Sequence, residues 1–261
     1  MTALVLALVA GAVVGLALGG LGGGGSMLAV PALVYLLGFT PAHAGTASLI
    51  IVAVTSLTGL VAHARAGRVR WRTGVLFAAP GLPLAAATGA LSARLPAALL
   101  TVAFAALAAF AAWRMLASAR KPRDAARYRP QDRPDDRPAE SGPARPAIAG
   151  AGLGAVTGLL GVGGGFLAVP ALVSVLAFTM AEAVGTSLLV ITANSLAALV
   201  PRVGAAGSLD WAVIAPFTAA AVLGAWDGKR LADRFSGRTL QIAFAVALLA
   251  VAALMLVDAL R

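Results

Sequence analysis

The sequence contains the glycine-rich run Gly19-Gly20-Leu21-Gly22-Gly23-Gly24-Gly25-Ser26-Met27-Leu28-Ala29-Val30-Pro31, which recurs as Leu160-Gly161-Val162-Gly163-Gly164-Gly165-Phe166-Leu167-Ala168-Val169-Pro170. Glycine lets a backbone bend sharply and approach a ligand closely. Each run leads into a short apolar segment, where the first N–H groups of a helix have no partner inside the helix and can receive an anion. The repeat therefore predicts two broken helices that face each other across one site.

The composition indicates an integral membrane protein. Of the residues, 60% are hydrophobic and only 11% are charged, with a mean hydropathy of +0.93, well beyond an ordinary soluble domain. The chain has no cysteine and two histidines, which excludes disulfides and thiolate sites and argues against a multi-histidine metal centre. The net charge of +10 comes from arginines between apolar runs, a pattern typical of cytoplasmic loops and not of a nucleic-acid surface. We expect no cofactor and no nucleic-acid partner.

Ten apolar segments fall into two sets, which predicts an all-α polytopic membrane protein with two homologous halves. Between the sets lies a charged, proline-rich stretch that cannot bury enough apolar surface to fold. We therefore assign residues 1–117 to the first membrane repeat, 118–146 to a charged linker and 147–261 to the second membrane repeat. The first two segments of each half are short for a bilayer that needs about 20 helical residues, which favours broken or re-entrant helices at the midplane. The segments are residues 3–19, 27–39, 44–62, 74–92, 96–117, 147–160, 166–178, 183–201, 211–227 and 239–258.

Loop charge indicates how the halves are oriented, because cytoplasmic loops collect Lys and Arg. In the first half the loop at residues 65–72 is basic and the next turn has only Arg94, whereas in the second half residues 202–210 are nearly neutral and the loop at 229–238 is basic. Equivalent loops then lie on opposite membrane faces, which predicts an inverted-topology repeat. This arrangement places the linker in the cytoplasm and both chain termini outside the membrane. A single crossing by the short pair of segments would instead give parallel halves.

Small polar residues follow the glycine elements inside apolar segments. Their hydroxyl and amide groups can donate hydrogen bonds to an oxyanion, although hydroxyls in membrane helices also bond simply to backbone carbonyls or across helix contacts. Arg202 can meet an anion at the mouth of a pathway or extend to the headgroups, and His63 falls near the matching point of the first half. The predicted substrate site comprises Gly22, Gly23, Gly24, Gly25, Thr46, Ser48, Gly163, Gly164, Gly165, Thr186, Ser187, Asn194 and Arg202.

Two short patterns predict helix starts. Thr179 and Glu182 have the spacing of a capping box, and Thr40 precedes a proline as an N-cap does. His43 corresponds to Glu182 in the repeat, so the two could form a proton-coupling pair; the local chemistry favours capping for Glu182 and a surface position for His43. Paired intramembrane carboxylates, metal-ligand spacing and a catalytic triad are all missing from the sequence pattern, so we predict that the protein is not an enzyme.

With the glycine–proline element in both halves, the chain resembles the TauE/SafE family of sulfite exporters and related anion permeases. The residues that carry the resemblance are Gly22 to Pro31, Gly161 to Pro170 and Ala183 to Leu188, with weaker support from Gly207 to Trp211. The resemblance spans both halves and excludes the linker. It implies two homologous membrane halves, transport of sulfite, sulfonates or other small organosulfur anions, and a site between the halves at the glycine elements and the Thr and Ser positions named above.

We therefore expect an exporter of a small anion, sulfite or an organosulfonate, that works by alternating access within the lipid bilayer. The alternatives are a carrier of a small carboxylate and a membrane scaffold without transport, in which the glycines serve close helix packing. The coupling ion, for which a proton is one candidate, and the oligomeric state, including a homo-oligomer, stay open at this point.

Overall fold

The computed structural model describes residues 2–21, 24–92, 95–120, 144–160, 178–202 and 209–232, short pieces at 167–169 and 171–172, residue 204, and isolated residues between 239 and 257. Within these ranges the regular structure is helical and contains no strand, which confirms the all-α class for this part of the chain. The helices are α1 (Thr2–Leu21), α2 (Gly24–Pro31), α3 (Pro41–Arg65), α4 (Trp71–Ala78), α5 (Gly81–Ser92), α6 (Ala97–Arg120), α7 (Ala144–Leu160), α8 (Met180–Leu199) and α9 (Trp211–Ala232).

Proline interrupts the helices at two places. The eight-residue α2 ends at Pro31 and continues as a π-helical turn, Ala32–Leu36, before Gly38 turns the chain with a φ of 70°. The sequence predicted one segment at residues 74–92, but the structure divides it into α4 and α5 at residues 79–80. Pro80 has no N–H to donate to the preceding turn and its ring crowds that turn, so the helix breaks there.

Both predicted helix starts are confirmed. The Thr40 hydroxyl accepts the His43 backbone N–H at 3.4 Å, with Pro41 as the first residue of α3. The Thr179 hydroxyl accepts the Glu182 N–H at 3.3 Å, and the Glu182 carboxylate accepts the Thr179 N–H at 3.2 Å, which completes the capping box. α3 and α8 therefore begin at equivalent positions of the two halves.

α3 and α8 are the central helices of the described part of the fold. Their apolar spans are 72% and 67% buried, compared with 33–39% for the other candidate membrane spans. The Ser56 and Thr192 hydroxyls are hydrogen-bonded at 2.8 Å, and a Cβ on Gly59 would lie 3.2 Å from a methyl of Leu188. The contact moves from Ser56 to Gly59 along α3 while it moves from Thr192 back to Leu188 along α8. The two helices therefore run antiparallel.

Glycine faces bring the first helix of each half against a helix of the other half. α1 lies against α9, and α7 lies against α4 and α5, through glycines at four-residue spacing whose Cβ atoms would overlap a backbone carbonyl of the facing helix. Small residues at this spacing let helix backbones approach closely in membranes. Within each contact the two helices run parallel, and the two contacts lie at equivalent positions of the repeat. The contacts are Gly11–Phe217, Gly15–Ala221 and Gly19–Ala225 in one set, and Gly150–Phe77, Gly154–Gly81 and Gly158–Ala85 in the other.

Five spans within the described residues are long and apolar enough to cross a membrane. They correspond to α1, α3, α4 with α5, α8 extended to residue 202, and α9. Large apolar side chains such as Val9, Leu76 and Leu223 are exposed on the outer faces of these helices. Such a surface is suited to lipid, because an outward-facing apolar side chain costs nothing in hydrocarbon.

Candidate functional site

Three of the predicted hydroxyl residues bond to their own helices. Thr46, Ser48 and Ser187 are buried. Thr46 donates to the carbonyl of Ala42 at 3.2 Å, while Ser48 and Ser187 each donate to the carbonyl three residues earlier, at 2.9 and 2.8 Å. A hydroxyl has a single proton, so each of these groups must rotate away from its helix before it can donate to a bound anion.

Thr186 has a different environment, because it joins the two halves. Its hydroxyl oxygen accepts the Arg70 backbone N–H at 3.1 Å, and the Arg70 guanidinium binds Glu182 at 2.8 and 3.0 Å. A Cβ on Gly185 would also press on the carbonyl of Arg68. The loop between α3 and α4 thus lies against the first turns of α8, and the Thr186 proton has no acceptor within the described part of the chain.

The antiparallel central pair separates the predicted hydroxyls into two levels. The Ser56–Thr192 hydrogen bond places these two residues at the same level of the two helices. Counted from that level at a rise of 1.5 Å per residue, Ser48 of α3 and Ser187 of α8 lie about 20 Å apart along the helix axes. An oxyanion of a few atoms cannot contact both levels at once. Arg202 falls at the level of Ser48 in the same register, so the end of α8 lies beside the start of α3.

Asn194 is a buried amide without a hydrogen-bond partner among the described residues. Its side chain is fully buried, and neither Oδ1 nor Nδ2 is bonded. A Cβ on Gly81 would lie 3.0 Å from Oδ1 and 2.7 Å from the carbonyl of Gly150, so the amide faces the break between α4 and α5. The equivalent residue of the first half, Thr55, instead donates to the Ile51 carbonyl at 2.6 Å. A buried polar group without a hydrogen bond destabilises the folded state by about 1–3 kcal/mol. Such groups are therefore rare unless they bind a ligand or an ordered water.

Arg202 brings a positive charge to the end of α8. Its Nη2 donates to the Gly158 carbonyl at 2.8 Å and to the Ser92 hydroxyl. These two bonds use both protons of one nitrogen, and within the described ranges the other three N–H groups have no acceptor and no carboxylate pairs with the guanidinium. Because arginine stays charged, this end of the molecule has a cation that is suited to an anionic ligand.

His63 makes the corresponding contact in the first half. The imidazole is 4% exposed, and Nε2 lies 3.4 Å from the carbonyl of Gly19. His63 is equivalent to Arg202 in the repeat, and Gly19 is equivalent to Gly158. The level of His63 along the central pair is that of Thr186, at the opposite end from Arg202.

The glycine elements are described only in part. Gly24 and Gly25 are the first residues of α2, where backbone N–H groups have no partner within the helix. Gly22, Gly23, Gly163, Gly164 and Gly165 lie outside the described residues, so their role in the site stays a prediction. Within the described ranges no group of three or more His, Cys, Asp or Glu side chains could hold a metal ion.

Sequence reasoning missed two polar residues of this region. Arg70 lies 112 residues from Glu182, and a partner at that separation leaves no local signal. Ser195 is buried and its hydroxyl has no partner among the described residues. The repeat offered a signal for Ser195, because it corresponds to Ser56, which makes the hydrogen bond between α3 and α8.

The family of the chain follows from comparison with known proteins. A family model described as "Sulfite exporter TauE/SafE" matches residues 7–255. The chain belongs to the TauE/SafE sulfite exporter family. Two relatives, each described as "Probable membrane transporter protein" and found in Xylella fastidiosa strains 9a5c and Temecula1, are 32% identical over 235 and 236 residues. Each alignment covers 89% of this chain and 86% of the relative. No solved structure matches the chain. As a TauE/SafE member with five apolar spans, the protein is a multi-pass membrane transporter.

Proposed function

We propose that this TauE/SafE protein exports a small oxyanion, sulfite or an organosulfonate, across the bacterial inner membrane. Transport proceeds by alternating access between two inverted halves, residues 1–117 and 147–261, joined by a cytoplasmic linker at 118–146. The family description supports the anion class. The reciprocal packing of α1 on α9 and of α7 on α4 and α5 supports two equivalent halves that share one pathway.

Two contacts favour the inverted arrangement. Equivalent helices α3 and α8 run antiparallel through the Ser56–Thr192 contact, as inverted repeats require. The Arg70–Glu182 ion pair at 2.8 Å brings the basic loop between α3 and α4 beside the start of α8. Loop charge assigns the loop between α3 and α4 to the cytoplasmic face, and its ion pair with Glu182 brings the start of α8 to the same face. In this proposal the end of α8 and both chain termini then lie on the outer face.

The observation that carries the anion site is the buried amide of Asn194, for which the described residues offer no hydrogen-bond partner. A neutral amide donor can hydrogen-bond an anion through Nδ2 without leaving a fixed charge in the membrane when the site is empty. The backbones of Gly81 and Gly150 pack against this amide, and a Cβ on Gly81 would lie 3.0 Å from Oδ1, so an anion reaches Nδ2 only when these helices move apart. Asn194 also lies between the level of Arg202 and that of Thr186, where a site must lie if it opens to each face in turn.

In this proposal the anion reaches the Asn194 amide by two routes, one from the outer face and one from the cytoplasmic face. Thr46, Ser48 and Arg202 serve the outer approach, and Thr186 and Ser187 serve the cytoplasmic one. The predicted backbone donors are those of Gly22 to Gly25 and Gly163 to Gly165, at the starts of the broken helices. This division follows from the distance of about 20 Å between the two sets of hydroxyls.

The test is transport of labelled sulfite by the purified full chain in proteoliposomes. Asn194→Leu keeps the approximate side-chain volume and removes the donor; a hydrogen bond to a charged group is worth about 1.5–3 kcal/mol, so we expect a loss of about tenfold or more. The matched control is Thr157→Val, which removes a buried hydroxyl that donates to the Leu153 carbonyl of its own helix at 2.8 Å. The control retains transport within about twofold, because this bond contributes only modestly to stability.

Two results would overturn parts of the proposal. Wild-type protein that moves no sulfite under an imposed gradient in either direction overturns the substrate. Full activity in a correctly folded Asn194→Leu protein overturns the site. Competition by methanesulfonate but not by acetate supports a sulfur oxyanion, whereas competition by acetate alone favours the carboxylate carrier.

A further inference from the structure

We infer that His63 is a second anion-binding cation, at the cytoplasmic end of the pathway, and that its protonation controls the affinity for anions there. Arg202 holds the equivalent place at the outer end. The inference rests on the proposed function and adds to it a residue and a mode of regulation. The resulting transporter has a permanent charge at one end and a switchable charge at the other.

The geometry that supports this inference is a pair of equivalent contacts. Nε2 of His63 lies 3.4 Å from the carbonyl of Gly19 in α1, and Nη2 of Arg202 lies 2.8 Å from the carbonyl of Gly158 in α7. The two side chains occupy equivalent positions near the ends of α3 and α8, and their acceptors are equivalent as well. Because α3 and α8 run antiparallel, the two contacts lie at opposite ends of the central pair.

Each contact lies at the level of the hydroxyl residues of the other half. In the register of the central pair, Arg202 lies at about the height of Ser48, and His63 at about the height of Thr186. The Thr186 hydroxyl oxygen already accepts the Arg70 N–H at 3.1 Å, so its proton is directed away from that bond. Each end of the pathway therefore combines a cationic side chain from one half with hydroxyl donors from the other.

The two ends differ in the chemistry of the cation. Arginine is charged at every physiological pH, whereas histidine changes charge between about pH 5 and pH 8. Arg202 is held by the Ser92 hydroxyl in addition to the glycine carbonyl. The residue equivalent to Ser92 in the second half is Ala232, which has no hydroxyl.

The surroundings of His63 favour an anion. α1 and α2, which adjoin its contact with Gly19, contain no charged residue. Glu182 is already paired with Arg70, and basic residues outnumber acidic ones at this end. The only other histidine of the chain, His43, is at the opposite end of α3. The charged residues at this end are Arg65, Arg68, Arg70 and Arg72 near the loop between α3 and α4, Glu182 of α8, and Asp227, Lys229 and Arg230 of α9.

The test uses methanesulfonate, because this anion keeps a single negative charge over the whole pH range while sulfite changes its own charge near neutrality. Binding to the detergent-solubilised full chain is measured by isothermal titration calorimetry at about pH 5.5 and about pH 8. A unit charge gained beside the anion in a partly dry site strengthens binding by about tenfold or more. We therefore expect wild-type protein to bind methanesulfonate about tenfold more tightly at the lower pH.

Three variants separate protonation from a purely structural role of the histidine. His63→Gln keeps a donor that can reach the Gly19 carbonyl but cannot gain a charge, so its affinity is weak and the same at both pH values. His63→Arg has a permanent charge, so its affinity is high at both. Arg202→His adds a second titrating group and makes the pH dependence steeper. The control is His43→Gln, which retains the wild-type dependence.

The inference is overturned if wild-type affinity is equal at both pH values, or if His63→Gln and His63→Arg keep the wild-type dependence. Either result with intact sulfite transport leaves the proposed function in place. Wild-type protein that neither binds methanesulfonate nor transports sulfite overturns the proposed function and this inference together.

Discussion

The close approach of α7 to α5 predicts opposite effects for two alanine substitutions on the same helix. In Gly154→Ala the new Cβ would overlap the carbonyl of Gly81. Both partners are fixed by backbone, so no rotamer change can relieve the overlap and the helices must separate. Such overpacking costs about 1–3 kcal/mol. Gly152→Ala is the control, because its Cβ meets nothing within 4 Å, and it gains only the helix propensity of alanine, up to about 1 kcal/mol.

The assay for this pair is unfolding of the detergent-solubilised chain, followed by far-ultraviolet circular dichroism as the fraction of sodium dodecyl sulfate rises. Both variants share the propensity gain, so the contact itself accounts for a difference of about 1–3 kcal/mol, with Gly152→Ala the more stable. Equal unfolding midpoints for the two variants would show that α7 and α5 do not touch through Gly154. Gly15→Ala, at the equivalent position of α1, is expected to behave as Gly154→Ala does, because its Cβ would overlap the carbonyl of Ala221.

Three further predictions concern side-chain bonds. A double-mutant cycle of Ser56→Ala and Thr192→Val, measured by the same unfolding assay, tests the hydrogen bond between α3 and α8. We expect a coupling energy of about 0.6 kcal/mol, and no more than about 2 kcal/mol. Additive effects of the two substitutions would contradict this bond. Arg70→Gln should change stability by no more than about 1 kcal/mol, because the side chains of the Arg70–Glu182 pair are 44% and 26% exposed, while Glu182 keeps its capping bond to Thr179; a loss of several kcal/mol in the same unfolding assay would contradict this. Thr179→Ala should destabilise the protein by about 1 kcal/mol through loss of the α8 cap, and an unchanged unfolding midpoint would contradict this.

Sequence reasoning located most of the described helices and the starts of α3 and α8 because those signals are local; the predicted segments at 166–178 and 239–258 lie only partly within the described residues. The capping box of Thr179 and Glu182 joins groups three residues apart, so its pattern is visible in the sequence. The repeated glycine–proline element identified the family for the same reason. The break at Pro80 was missed, because a proline inside a membrane span is tolerated at some positions and interrupts the helix at others, according to what the neighbouring helices supply.

Hydropathy, glycine runs and capping patterns depend on residues close together in the chain, so the sequence alone indicated an α-helical membrane protein with a repeated glycine element. Only the tertiary structure decided which helices meet. A face of glycines on α1 or α7 predicts a close neighbour but does not say which one, since any helix backbone satisfies it. Likewise, a threonine hydroxyl such as that of Thr55 can bond to its own helix, but the sequence does not tell that the Asn194 amide is left without a partner among the described residues. Whether a buried polar group has a partner depends on side chains brought together by packing, and that packing also places His63 and Arg202 at opposite ends of the central helix pair.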